Sequence, residues 1–150
     1  MRVLAVDPGG TTGFALYDGG AQYEVHDAWD KTGQMTALMQ VESFLKGSGL
    51  DVLVCESFVI SMGTMKKTRE GSNTAIEIIG ALRWLTWKHE VKFVTQSPAD
   101  AASFMTPEKL RALGWWTKGS DHARSASKHL ALYLVREKQI APERLLTPSD

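Results

Sequence analysis

Three acidic residues stand where carboxylates do chemistry rather than simply meet solvent. Asp7 closes the apolar run RVLAVD and is followed at once by a Pro-Gly-Gly turn. Glu56 closes a second apolar run, DVLVCE, and Asp121 opens the helical pattern DHARSASKHLAL. A carboxylate at the end of a buried strand is costly to desolvate unless a proton or a cation compensates it. Clustered carboxylates repel one another unless bridged, and an all-oxygen donor set selects hard ions, Mg2+ or Mn2+, over zinc. Two such ions can clamp both sides of an in-line phosphodiester displacement. Each acid also has an ordinary reading: Asp7 as a turn residue, Asp121 as a helix-start acid opposing the dipole. Glu56 has no routine structural task at a strand end. One topology that brings all three together favours chemistry.

The elements that must position these acids follow from the patterning. RVLAVD is almost wholly apolar, as a central strand covered on both faces should be. GFALYD ends in the hairpin turn Asp18-Gly19-Gly20, and QYEVHDAW reads as a third, more exposed strand. A helix is expected from about Thr32 to Lys46, with Met35, Leu38, Met39 and Leu45 on one face and Gly47 as its stop. DVLVCE is the fourth strand. The stretch from Val59 to Ser72 lacks periodicity and reads as a loop, and Thr74-x-x-Glu77 is a capping box for a helix to about His89. VKFVTQ is a fifth strand stopped by Ser97-Pro98, and short helical pieces cover 98–113. Ser120 caps a last helix to about Lys138, with Ala123, Ala126, Leu130 and Leu134 as its buried stripe. The order β-β-β-α-β-α-β-α predicts one α/β domain over residues 1–150. Its mixed five-stranded sheet has three antiparallel strands, then two parallel ones, with helices on both faces. Strands one and four then run side by side and set Asp7 beside Glu56. The last helix, crossing the sheet, delivers Asp121.

Composition is consistent with this reading. A chain of 150 residues, 43% hydrophobic, suits one ordinary soluble domain. No apolar run is long enough to span a membrane and the first strand begins at residue 2, so neither leader nor anchor is expected. The single cysteine, Cys55, reads as a small buried strand residue in a reducing cytoplasm. The formal net charge of zero argues against indiscriminate coating of nucleic acid, but it hides an asymmetry. Residues 1–56 carry three basic and eight acidic side chains, and residues 57–150 carry fourteen and nine.

The motifs AVDPG-x-T-GFAL, VCESF and DHARSASKHLAL resemble the RuvC-type Holliday-junction resolvases of the RNase H-like superfamily, and most closely their phage-encoded members. The resemblance covers most of the chain in element order and implies an RNase H-like fold, two-metal cleavage of DNA and branched DNA as substrate. It carries the first three metal-binding acids onto Asp7, Glu56 and Asp121. At the fourth position, one turn further along the helix, this chain has Arg124 in place of an acid, so a ligand is missing there. His122 is then an auxiliary candidate, as ligand or proton carrier.

Candidate DNA contacts surround this edge. Lys66, Lys67 and Arg69 fall on the loop after Glu56, and Lys118, Arg124 and Lys128 lie before or on the last helix, where phosphates would meet positive charge. Solvated loop and helix faces are the ordinary reading of such charges. Phe58 resembles the aromatic that helps resolvases open a junction, with core packing as its alternative. Trp84, Trp87, Trp115 and Trp116 are candidates to stack bases, with packing on the sheet or a subunit contact as the ordinary reading, and of the adjacent Trp115 and Trp116 one is expected to be exposed. A four-way junction has two equivalent strands to cut, so a two-fold homodimer is expected, with the second helix near its interface. Two other readings compete. DPGGTTG also resembles the phosphate loop of sugar kinases and actin-like ATPases, although those close two such domains around a nucleotide. Arg124 makes a non-cutting branched-DNA-binding module plausible.

Overall fold

The computed structural model describes residues 1–19, 24–47, 49–58, 69–119 and 121–146, with residues 69–73 described in backbone only. Five strands form one mixed sheet: β1 (Arg2–Asp7), β2 (Thr11–Asp18), β3 (His26–Thr32), β4 (Val52–Glu56) and β5 (Lys92–Gln96). Their order across the sheet is β3-β2-β1-β4-β5. The first three are antiparallel neighbours, whereas β4 and β5 run parallel to β1. The helices are α1 (Gln34–Gly47), α2 (Arg69–Lys88), α3 (Pro98–Phe104), α4 (Pro107–Ala112) and α5 (Asp121–Arg136), followed by a 3-10 turn at Pro142–Leu145. This is the expected mixed sheet with helices on both faces.

Side-chain alternation divides the core into two. Val3, Ala5, Val52 and Val54 pack beneath α5 with Ala126, Leu130 and Leu134. Leu4, Val6, Leu53 and Cys55 face the other way, toward Ala37, Val41 and Leu45 of α1 and Ile78 and Leu82 of α2. Because strand side chains alternate, the residue after Val6 returns to the α5 face. Asp7 therefore points to the same side as Val3 and Ala5. The same parity carries Gly13, Glu56 and Gln96 to that side, since Asp7 pairs with Gly13 and Glu56 with Gln96. Cys55, on the opposite face, is fully buried, and burial pushes its thiol well above the ordinary value, so it is inert.

Several expected boundaries move. The third strand begins at His26, and the second long helix begins at Arg69, so Thr74 lies inside it rather than at its cap. On α1 the buried stripe is Ala37, Val41 and Leu45, at i, i+4 and i+8, while Met35 and Met39 are exposed. Those methionines satisfied an apolar pattern, but their phase is set by the sheet. Trp84 and Trp87 do not pack on the sheet: they are 55% and 77% exposed on α2. Of the other pair, Trp115 is buried, with His26 stacked on it at 4.4 Å, and Trp116 is partly exposed. The expected Ser120 cap and the apolar residues Val59, Ile60 and Met62 lie outside the described residues.

One contact governs how closely α5 approaches. A Cβ on Gly13 would stand 2.2 Å from the carbonyl carbon and oxygen of His122 and 2.7 Å from the nitrogen of Ala123. These are backbone atoms at the start of a helix, so no rotamer change makes room. Gly13→Ala is expected to cost roughly 2–4 kcal/mol of stability. Urea unfolding checks this, and an unchanged midpoint would show that α5 shifts freely over β2.

Candidate active site

The carboxyl ends of β1 and β4 place Asp7 and Glu56 as adjacent residues on the α5 face. Val6 pairs with Cys55 in parallel register, so the next residues along the two strands are these two acids. Asp7 is only 9% exposed, and its carboxyl group lies close enough to that of Glu56 for their charges to interact. Burial first, and then the charge of Glu56, raise Asp7 from its ordinary value to about 6. Glu56 moves down instead: its own desolvation is outweighed by the hydrogen bond and charge of His129 and by the bond from Ser125. The two acids thus titrate apart, Asp7 above its ordinary value and Glu56 below. The adjoining turn is closed by the buried Thr12, whose hydroxyl lies 3.5 Å from the nitrogen of Gly9 and 3.4 Å from its carbonyl oxygen.

Helix α5 covers this pair with residues of one face. His122 Nδ1 lies 3.6 Å from Asp7 Oδ2, and the ring is about half exposed. Ser125 donates its hydroxyl to Glu56 Oε2 at 3.2 Å, and His129 Nε2 lies 2.6 Å from that same oxygen. The other nitrogen of His129 is 3.0 Å from Gln96 Oε1. Positions 122, 125 and 129 recur at helical spacing, i, i+3 and i+7, and so share a face.

Asp121 and Arg124 belong to a different face, which corrects two expectations. The Asp121 carboxylate is 89% exposed and pairs with Arg124. Arg124 does not stand beside the acids. Its guanidinium donates to Thr117 O at 2.9 Å and lies over the Trp116 ring at 4.8 Å, tying the preceding loop to the first turn of α5. One residue of helix is 100° of rotation, so a motif aligned one position away presents a different side chain to the sheet. His122 takes the place expected of Asp121, and Ser125 that expected of Arg124.

The remaining expected residues scatter. Lys118 is exposed, and Lys128 is partly buried on the same side of α5 as Arg124. Phe58 is partly buried and lines a cavity of about 220 Å³ with Ile76, Ile79 and Arg83. Thr95 also lines it, and Thr95 pairs with Cys55, so the cavity opens on the α2 side of the sheet. Lys66 and Lys67 lie outside the described residues, and Arg69 is described in backbone only. From sequence, Gln96 reads only as ending a strand on the proposed active edge, as a backbone contact or a turn, and His129 and Ser125 were not singled out. The available signal was a histidine inside an otherwise apolar helical stripe, two turns beyond His122.

Among the described residues, no three His, Cys, Asp or Glu side chains are placed to hold a metal ion together. The three-carboxylate set therefore does not assemble. A smaller set does fit: Asp7 and Glu56 are adjacent acids whose mutual repulsion a divalent cation would relieve, with the Ser125 hydroxyl and His122 imidazole beside them.

Among solved structures, the chain is similar to RuvC of Thermus thermophilus in complex with Holliday junction substrate. Identity is 14%, with a TM-score of 0.64, over 91% of this chain and 96% of that one. Also similar are the fowlpox virus Holliday junction resolvase and the yeast mitochondrial Holliday junction resolvase. The first is 14% identical, with a TM-score of 0.59 over 93% and 100% of the two chains. The second is 12% identical, with a TM-score of 0.66 over 97% and 82%. The chain has the RuvC-like, RNase H-type fold. No family model matches the sequence, and no curated protein does.

Keeping Asp7 in place has a thermodynamic signature. Unfolded, it titrates near its ordinary 3.8, and in the fold near 6. Between those values the folded chain binds the extra proton, so stability falls as pH rises from about 4 through 6. His26, lowered to about 4 by burial, acts in the opposite direction: its stabilisation is lost as pH falls from 6.5 toward 4. The difference between wild type and Asp7→Asn isolates the carboxylate. In EDTA at pH 8 the variant is expected to be more stable by on the order of 2 kcal/mol, a gain that vanishes near pH 4. Urea unfolding across that range checks it, and an equal midpoint at pH 8 would contradict it.

Proposed function

We propose that this chain is a divalent-cation-dependent endonuclease that cuts branched DNA such as Holliday junctions by phosphodiester hydrolysis. The observation that carries the reading is the Asp7–Glu56 pair, two acids brought side by side at the carboxyl ends of adjacent parallel strands in a sheet with the resolvase fold. Asp7 and Glu56 would hold Mg2+ or Mn2+. Such an ion, when bound, supplies charge neutralisation at the phosphodiester and lowers the pKa of the attacking water. His122, half exposed above Asp7, is placed to take up or deliver a proton at the mouth of the site. Lys118 and Lys128, with Lys66, Lys67 and Arg69 after β4, are the proposed phosphate contacts. A phage origin, as the motif likeness suggests, would make the bacterial host cytoplasm the working compartment.

A non-cutting branched-DNA-binding module is the second reading, favoured by the exposure of Asp121 and its pairing with Arg124. The two readings differ in one experiment on a labelled four-way junction. The enzyme reading expects nicks with Mg2+ or Mn2+. Asp7→Asn and Glu56→Gln should each lower the rate about 100-fold or more while junction binding in EDTA persists. A wild-type protein that binds the junction without nicking it in either ion would establish the module instead.

The reading includes a two-fold homodimer, one site for each of two equivalent strands. Ile76, Trp84 and Trp87 are exposed large apolar residues at helical spacing on α2, on the side of the sheet opposite the acids. Trp84→Ala with Trp87→Glu should convert a dimer into a monomer by light scattering at micromolar concentration. A wild-type monomer, both free and on DNA, would refute the dimer.

A further inference from the structure

The inference concerns His129, and it rests on the cation reading of Asp7 and Glu56. His129 is fully buried in a stretch of α5 that also buries Ala126, Leu130, Ala131, Leu132 and Leu134. An imidazole there is costly to desolvate, and an aliphatic side chain would fill the space without that cost. Both ring nitrogens are instead committed: Nε2 to Glu56 Oε2 at 2.6 Å and Nδ1 to Gln96 Oε1 at 3.0 Å. Gln96 is itself buried and is the register partner of Glu56 on β5, so the ring is held from both sides by one row of the sheet. Ser125 donates to the same Oε2 at 3.2 Å. Two donors fill the two acceptor positions of that oxygen, and Oε1 is left for a ligand.

We propose that His129 is a positioning residue that fixes Glu56 through Oε2, so that Oε1 alone faces the cation. It lies too deep to meet DNA. Its effect is on cation affinity, through the orientation and the lost rotamer freedom of the ligating carboxylate.

Two substitutions of similar size separate the two ring nitrogens. His129→Gln places an amide NH2 where Nε2 stood and keeps a donor for Glu56. His129→Asn reaches only the Nδ1 position, toward Gln96. Mn2+ alone is titrated into each full-length protein by calorimetry, with folded fraction and thermal midpoint measured in EDTA. The Gln variant is expected to stay within about threefold of wild-type affinity, and the Asn variant to lose about tenfold or more. Gln96→Met, a milder change that frees the ring to turn, is expected to weaken Mn2+ binding severalfold and carries the test should the Asn variant not fold. In junction cleavage the Asn and Met variants, but not the Gln variant, should raise the Mn2+ concentration needed for half-maximal rate and leave the rate at saturating Mn2+ nearly unchanged. Equal Mn2+ affinity per folded molecule in wild type, Asn and Met variants would overturn the proposal, as would equal losses in Gln and Asn. A wild type that takes up no Mn2+, or an Asp7→Asn variant that binds it as tightly, is a different failure. It would overturn the cation reading and this inference with it.

Discussion

Two carboxyl groups on adjacent parallel strands, one of them almost out of water, set the terms for everything around them. Their separation is dictated by strand spacing, which is why they meet without any loop having to bring them together. Their burial comes from the helix laid across them. The tension between them raises Asp7 above its ordinary value and is eased on Glu56 by donors from Ser125 and His129. Such a pair is unfavourable for a protein that needs only to fold, and this is the ordinary condition of a functional site.

The cover over the pair depends on an absence. Gly13 has no side chain at the register position beside Asp7, and the first turn of α5 fills that space with its own backbone. The same close approach sets the rotation of α5 about its axis. His122, Ser125 and His129 turn inward, and Asp121 and Arg124 turn toward Trp116 and solvent. The clamp of Arg124 on Thr117 and Asp121 then holds the loop before the helix in place.

How much of this could be read from sequence varies by element for physical reasons. Asp7 and Glu56 were legible because each ends an apolar run, and a parallel β1–β4 pairing sets the ends of the two strands side by side. The antiparallel meander and the parallel β1–β4 neighbours followed from short turns and a helical crossover, whereas the place of β5 was supplied by the fold. The phase of α5 was not legible, because consecutive residues DH both suit a helix start, and the choice between them is made by a glycine more than a hundred residues earlier. The methionines of α1 show the same limit: Met35 and Met39 counted as apolar, yet the helix buries the smaller Ala37 and Val41. His129 escaped notice because an isolated histidine in an apolar stripe usually signals nothing. Its partners, Glu56 and Gln96, belong to strands that only the fold brings near.

The sheet also acts as a partition. Residues that alternate along β1 and β4 serve different neighbours: Val3, Ala5, Val52 and Val54 support the acids and α5, while Leu4, Val6, Leu53 and Cys55 support α1 and α2. Substitutions on the two sides share few partners, so their energetic effects should combine nearly independently. For a lineage carrying this fold, the outward face of α2 is then free to drift, acquire a new associate or lose an old one without disturbing the acids. Heritable variation in assembly and in chemistry can be selected separately, because a single layer of backbone lies between them.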